Sequence, residues 1–319
     1  MTDTMRTKTS QSRSARTPKL TRILVPTDFS RNAGWALRYA VPLARQVGGK
    51  ITLLHVLEWP LLPAELGVIV TSDAKLQGEV RLRLDELART SVPAGLLEKT
   101  LVRVGRAHRD VADAARGLKM DLIIVSTQGR TGLKRALLGS TAERIVRHAT
   151  CPVLTVRKLA ARKSPGLKSS SLAPRLNRIL VPVDFSERSA AAVKFTAGLA
   201  RTMRARLALL HVTAPLPIRL SRFRAEMERY DAETKQAVQD KLKALAATIP
   251  KDIKRQTLLC QDVDGRGIVA AARQWRSDLI VLPTRGLTGA KYIVLGSTAE
   301  YVVRHATCPV LTLGGASSK

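Results

Sequence analysis

The chain repeats itself on the scale of a whole domain. Ile23-Leu24-Val25-Pro26-Thr27-Asp28-Phe29-Ser30 returns as Ile179-Leu180-Val181-Pro182-Val183-Asp184-Phe185-Ser186, and Leu53-Leu54-His55-Val56 returns as Leu209-Leu210-His211-Val212, both 156 residues later. Leu138-Gly139-Ser140-Thr141-Ala142-Glu143 returns as Leu295-Gly296-Ser297-Thr298-Ala299-Glu300, now 157 residues later. So does Val146-Arg147-His148-Ala149-Thr150-Cys151-Pro152-Val153-Leu154-Thr155, as Val303 to Thr312. One net residue separates the two offsets. A solenoid unit is about 20–50 residues long, so this period is a domain, duplicated and fused. The fold must be one that a stretch of roughly 100–200 residues can complete, twice.

Within each copy, strand and helix patterns alternate. In the first, Ile23–Thr27 is a short apolar strand and Arg31–Val47 carries a helical stripe of Ala33, Leu37, Ala40, Val41 and Ala44. Ile51–Leu57 is the next strand. Ser72 is an N-cap candidate for a helix through Leu76, Val80, Leu84 and Leu87. A third strand (Thr100–Val104), a third helix (Arg109–Leu118), a continuous apolar strand (Leu122–Ser126), a last helix (Thr141–His148) and a last strand (Pro152–Val156) complete it. The second copy repeats this order. Alternation with near-continuous apolar strands predicts an α/β fold: two tandem doubly wound domains, each a parallel sheet covered by helices on both faces. The boundaries expected are a basic tail over 1–20, domains over 21–157 and 177–314, and a linker over 158–176, which contains Lys-Ser-Pro-Gly and a Ser triplet.

Charge is the compositional outlier, at net +29 with a pI near 11.2. Residues 1–20 carry +4 and residues 157–178 carry +7, which leaves +18 on the remainder. Aromatics are only 3% of the chain and no nucleic-acid-reading motif accompanies the charge. Nucleic acid is therefore expected only through non-specific attraction. No apolar run approaches the ~18 residues of a membrane helix. Three cysteines, two of them repeat equivalents, make no disulfide framework. The expectation is a cytoplasmic protein with reduced thiols and no membrane partner.

Ligands of open parallel sheets bind beyond the carboxyl ends of the strands, where the strand order reverses. Asp28 ends the first strand. Its carboxylate can accept from a ribose hydroxyl or an adenine amino group, or cap the following helix together with Ser30, and the two roles are compatible. After the fourth strand, Ser126-Thr127-Gln128-Gly129-Arg130-Thr131-Gly132 leads to Gly139-Ser140 at a helix start. Glycines there admit close backbone approach to an anion, and a helix N-terminus with a hydroxyl suits phosphate. Arg130, Lys134 and Arg135 add charge. Clustered metal-ligand spacing is lacking, so no metal site is expected. Cys151 and Cys308 each precede a proline at a strand start, the position of structural cysteines.

These segments together resemble the universal stress protein family, as two domains of the bacterial UspA type in tandem. The resemblance implies five parallel strands per domain in the order 3-2-1-4-5, with pairing through the last strand. In a tandem chain it lets Pro152–Val156 pair with Pro309–Leu313 as an internal pseudo-dimer, with a further homodimer left open. It also implies ATP binding for members whose loop reads Gly, two residues, Gly, nine residues, Gly, Ser or Thr. Gly129 and Gly139-Ser140 fit that pattern, with Ser126 at the first glycine. Gly286 and Gly296-Ser297 fit it in the second domain, with Pro283 first. Proline has no N–H and a fixed φ, and Asp262 stands where the first domain has Gly105, an extra carboxylate that would repel a phosphate.

The resemblance therefore implies a nucleotide site in domain one from Thr27, Asp28, Ser126, Gly129, Arg130, Gly139, Ser140 and Thr141. A lesser second site would use Asp184, Gly286, Gly296 and Ser297. ATP is the expected cofactor, with magnesium left open. The function expected is a stress-response binding module that couples nucleotide to unknown protein partners. The alternatives are a scaffold without nucleotide and a polyanion-binding stress protein. No base positioned to activate water is evident, so an enzyme is not expected.

Overall fold

The computed structural model describes residues 18–58, 74–127, 138–157, 176–215, 224–284 and 295–314, with backbone alone at 224–228 and 230–231. Most of the expected tail and linker, Ser72, Gly129, Arg130 and Gly286 lie outside the described residues.

The first repeat runs β1 (Arg22–Pro26), α1 (Gly34–Val47), β2 (Lys50–Leu57), α2 (Ala74–Ser91), β3 (Leu97–Val104), α3 (Ala107–Gly117), β4 (Leu122–Ser126), α4 (Ser140–His148) and β5 (Val153–Val156). The second runs β6 (Arg178–Pro182), α5 (Glu187–Met203), β7 (Arg206–Thr213), α6 (Arg224–Ala247), β8 (Arg255–Gln261), α7 (Asp264–Gln274), β9 (Leu279–Pro283), α8 (Ser297–His305) and β10 (Val310–Leu313). Each repeat has its strands in the order 3-2-1-4-5, all parallel. The repeats then join edge to edge. β5 pairs with β10 antiparallel, so one ten-stranded sheet spans the molecule in the order β3-β2-β1-β4-β5-β10-β9-β6-β7-β8.

The junction is symmetric. Leu154 faces Leu311, flanked by Thr155 opposite Val310 and Val153 opposite Thr312. Thr155 Oγ1 donates to the Val310 carbonyl at 3.1 Å and Thr312 Oγ1 donates to Val153 at 3.2 Å. The two buried hydroxyls are thereby satisfied, as burial demands.

Strand side chains alternate between faces, and two cores follow. Ile23, Val25, Ile124, Leu154, Leu311 and Val181 pack with α1, α2, α5 and α6 on one face. Leu24, Ile123, Val153, Val310 and Leu180 pack with α3, α4, α7 and α8 on the other. Each core is continuous across both repeats.

The helix ends show where the repeats differ. Ser186 is the N-cap of α5, and its Oγ accepts from the Ser189 amide at 3.1 Å. In the first repeat Ser30 Oγ accepts from Ala33 N at 3.1 Å, but the helix starts only at Gly34. The Asn-Ala-Gly stretch of residues 32–34 is a weaker helix start than Arg-Ser-Ala at 188–190. The expected start at Arg31 is thus three residues early. At the other end, α1 stops on Gly48 with φ 64°, whereas α5 stops on Arg204 with φ 51°. A left-handed conformation is costly for any residue with a Cβ. Arg204→Gly is therefore expected to raise stability by about 0.5–1 kcal/mol, the strain relief less the entropy of glycine. A urea titration would read this, and no shift or a lower midpoint would contradict it.

Candidate functional site

The reversal of strand order between β1 and β4 brings two chain segments together at the carboxyl edge of the sheet. The β1 segment is tightly constrained. Thr27 N donates to Leu54 O at 2.9 Å, and Thr27 Oγ1 accepts from Phe29 N at 3.1 Å. Asp28 Oδ1 accepts from Ser30 N at 2.9 Å. Phe29 adopts φ 60°, uncommon for a residue with a Cβ. Its ring stacks on His55 with centroids 4.4 Å apart, and Arg83 of α2 lies 4.6 Å above it. His55 Nδ1 is 2.8 Å from Thr27 O, so the neutral ring carries its proton there. His55, two residues before the end of β2, holds the β1 strand-end turn in place; the sequence alone showed only its position in the repeat.

The second repeat rebuilds this arrangement. Phe185 has φ 61° and lies 4.7 Å from His211, whose Nδ1 is 2.6 Å from Val183 O. Asp184 Oδ1 accepts from both the amide and the hydroxyl of Ser186, at 3.0 and 2.6 Å. Burial pushes the Asp184 carboxyl up, but these bonds and Ser189 outweigh it and hold the carboxyl below its ordinary value. Asp184 thus braces the start of α5, as Asp28 braces the turn before α1 through Ser30 N.

The β4 segment supplies the helix N-terminus. Gly139 N donates to Thr127 O at 2.7 Å, closing the base of the loop between them. Gly139 is the N-cap of α4, with no side-chain capping bond, and Ser140 and Thr141 are exposed. The first turn of such a helix has amide N–H groups without intrahelical partners and carries partial positive charge. Gly296 N donates to Thr284 O at 2.8 Å in the second repeat, so Pro283 leaves the loop's closure unchanged. One difference was not evident from the sequence. Thr284 Oγ1 donates to Leu313 O at 3.4 Å, whereas Thr127 Oγ1 is buried without a partner. An orphaned buried hydroxyl is costly and rare. The Gly139–Thr127 bond brings the start of α4 to the end of β4, while Thr27 and Asp28 follow the adjacent β1. These residues fit a phosphate-bearing ligand: uncapped amides, small side chains and a hydroxyl in need of a partner.

Asp262 has a local explanation. In the first repeat Asp110 Oδ2 accepts from Arg106 N at 2.8 Å, and a Cβ at Gly105 (φ 154°) would lie 2.3 Å from that oxygen. In the second, Asp262 Oδ1 accepts from Val263 N at 2.6 Å, and Gly267 occupies the place of Asp110. Glycine and aspartate have exchanged positions, and the same backbone N–H is satisfied from opposite sides. Asp262 also directly follows β8, three strand spacings (about 14 Å) from β9, too far to repel a phosphate at the end of β9 strongly in physiological salt. Gly105→Asp is expected to cost roughly 2 kcal/mol through clash and backbone strain. Adding Asp110→Gly should restore most of it. Denaturant unfolding of the three variants tests this; strictly additive losses would refute the exchange.

Burial pushes the Cys151 and Cys308 thiols up to about 12, so both stay protonated, in keeping with structural roles. Among the described residues no cluster of three or more His, Cys, Asp or Glu could hold a metal ion, and no helix is long and apolar enough to cross a membrane.

Sheet order, duplicated strand-end turns and helix N-termini agree with what sequence comparison finds. The universal stress protein family model matches residues 19–157 and again 175–313. The chain belongs to the universal stress protein family, with two of its domains in tandem. It is similar to a universal stress protein of Methanocaldococcus jannaschii, 32% identical over 140 residues that span 43% of this chain and 82% of the relative. A universal stress protein of Mycolicibacterium smegmatis is 25% identical over 300 residues, spanning 91% of this chain and 96% of the relative. The crystal structure of a universal stress protein from Archaeoglobus fulgidus superposes with a TM-score of 0.64 at 20% identity, over 92% of this chain and 95% of that one. That likeness is one of fold.

Proposed function

We propose that this chain is a cytoplasmic stress-response protein whose first domain binds an adenine nucleotide, ATP, and couples its occupancy to contacts with protein partners. The observation that carries the reading is the asymmetry at the fourth strand. Thr127 Oγ1 is buried without a partner beside the uncapped start of α4, while its counterpart Thr284 bonds to Leu313. In this reading the amides of Gly139, Ser140 and Thr141 hold phosphates and Asp28 holds ribose or base, with Gly129 and Arg130 completing the loop. The second domain is degenerate for nucleotide in this reading, because Thr284 Oγ1 already bonds to Leu313 and Pro283 lacks the amide that Ser126 keeps. The proposal is of a binding module and assigns no turnover.

Calorimetric titration of ATP into full-length protein stripped of nucleotide tests this. A single binding event per chain is expected, lost in Asp28→Ala and Gly139→Val and retained in Asp184→Ala. Absence of binding, with no nucleotide co-purifying, would overturn the reading in favour of a scaffold without nucleotide.

A further inference from the structure

Two histidines meet across α3 and α4 of the first repeat, with an arginine on each helix close to them in sequence, at a place the nucleotide reading does not use. The ring of His108, in the first turn of α3, lies 6.1 Å from that of His148, at the end of α4. Arg144, one turn earlier on α4, and Arg109, next to His108, act on the same imidazole. The facing acid is Glu58, at the end of β2, and its Oε1 already accepts from Ala107 N at 2.7 Å. His108 is half-buried, and Arg109, Arg144 and His148 are exposed.

The second repeat has closed this gap. Gly265, Tyr301 and His305 stand where the first repeat has His108, Arg144 and His148. The Tyr301 ring lies 2.8 Å from where a Cβ on Gly265 would be, and it stacks on His305 at 4.0 Å. His305 Nδ1 is 2.8 Å from Tyr301 O. An aromatic lid thus fills one repeat where the other gathers like charges.

Like charges gathered on two packed helices repel unless a counter-charge joins them. We propose that His108, His148, Arg144 and Arg109 form an oxyanion site, peculiar to the first repeat, for a phosphate or oligophosphate. Two hydrogen bonds of about 2.9 Å to one oxyanion place their donors about 5–6 Å apart, which the ring separation of 6.1 Å allows. A metal cation is disfavoured by the two arginines, which stay charged at any physiological pH. Desolvation first, then Arg144, His148 and Arg109, hold the His108 pKa below its ordinary value, with Glu58 opposing. Without an anion, stability therefore falls as pH drops through the ordinary histidine range. A bound oxyanion reverses that cost, so binding takes up protons and tightens as pH falls towards about 6.

The test is a proton NMR titration of the chain's five histidines in chloride and in inorganic phosphate at matched ionic strength. His108 and His148 are expected to titrate about half a unit higher in phosphate, a roughly threefold preference for the protonated form. His55, His211 and His305 should stay in place. In His108→Gln the response of His148 should disappear. Equal movement of all five histidines would mean diffuse charge, and no movement would mean that phosphate binds elsewhere or not at all. Either result overturns the site, as would a response to zinc and none to phosphate.

Discussion

Leu154→Asp is expected to abolish the cooperative thermal transition of the whole chain. Leu154 is 2% exposed and faces Leu311 at the centre of the antiparallel junction, where it belongs to a core containing side chains of both repeats. Truncating such a leucine to alanine costs about 2–5 kcal/mol. A carboxylate in its place adds several kcal/mol more, whether it ionises or is held protonated. Against a usual domain stability of about 5–15 kcal/mol, little remains. Far-ultraviolet circular dichroism with temperature would read this. Leu154→Ala and Leu311→Ala should each lower the midpoint, by similar amounts, because the junction is symmetric about that pair. A Leu154→Asp variant that melts like the parent would mean that the halves do not rely on their shared edge.

The second large effect lies beside that junction. Glu143 accepts from Arg147 at 2.7 Å and from Arg304 of the other repeat at 2.9 Å. Glu300 completes the cluster, bonding Arg304 at 2.9 Å and approaching Arg147 at 3.6 Å. The four groups are repeat equivalents, two and two. Their side chains are 17–33% exposed, and the Nε atoms of both arginines are buried without partners. Removing one carboxylate leaves two poorly solvated guanidinium groups sharing the other. Breaking a fully buried pair costs about 3–5 kcal/mol, and partial exposure reduces that, so Glu143→Ala is expected to cost about 2–3 kcal/mol. Pairing it with Arg304→Ala should cost less than the sum of the single losses, by roughly 0.5–2 kcal/mol. Chemical denaturation of the four proteins gives the coupling. Simple additivity would show that the contacts contribute no net energy.

Much of this was legible in the sequence because it is written in local pattern. The strand at Leu122–Ser126 announces itself as a run of apolar residues, and the glycines at Gly139 and Gly296 mark helix starts. The ends of elements were less legible. Whether Ser30 begins a helix depends on competition among short-range bonds around Asn32, Ala33 and Gly34, and here a turn wins. By position Asp262 reads as a charge set against a phosphate, and its bond to Val263 is invisible without the backbone. The unpaired hydroxyl of Thr127 could not be found by any motif, because Thr284, its counterpart in the repeat, is bonded.

By itself the sequence determined the duplication, the alternation of strand and helix, and the placing of Asp28 and Gly139 after strands one and four. All of these follow from the periodicity of apolar residues and from turn chemistry within a few residues. The tertiary structure realised the joining of the two sheets into one, which the family resemblance implied but no local pattern encodes. Edge-strand N–H and C=O groups must find partners, and β5 and β10 supply them to each other across 157 residues of chain. It also decided the four-member ion cluster and the difference between His108 with His148 and Gly265 with Tyr301. Those depend on distances between helices, which no local pattern encodes.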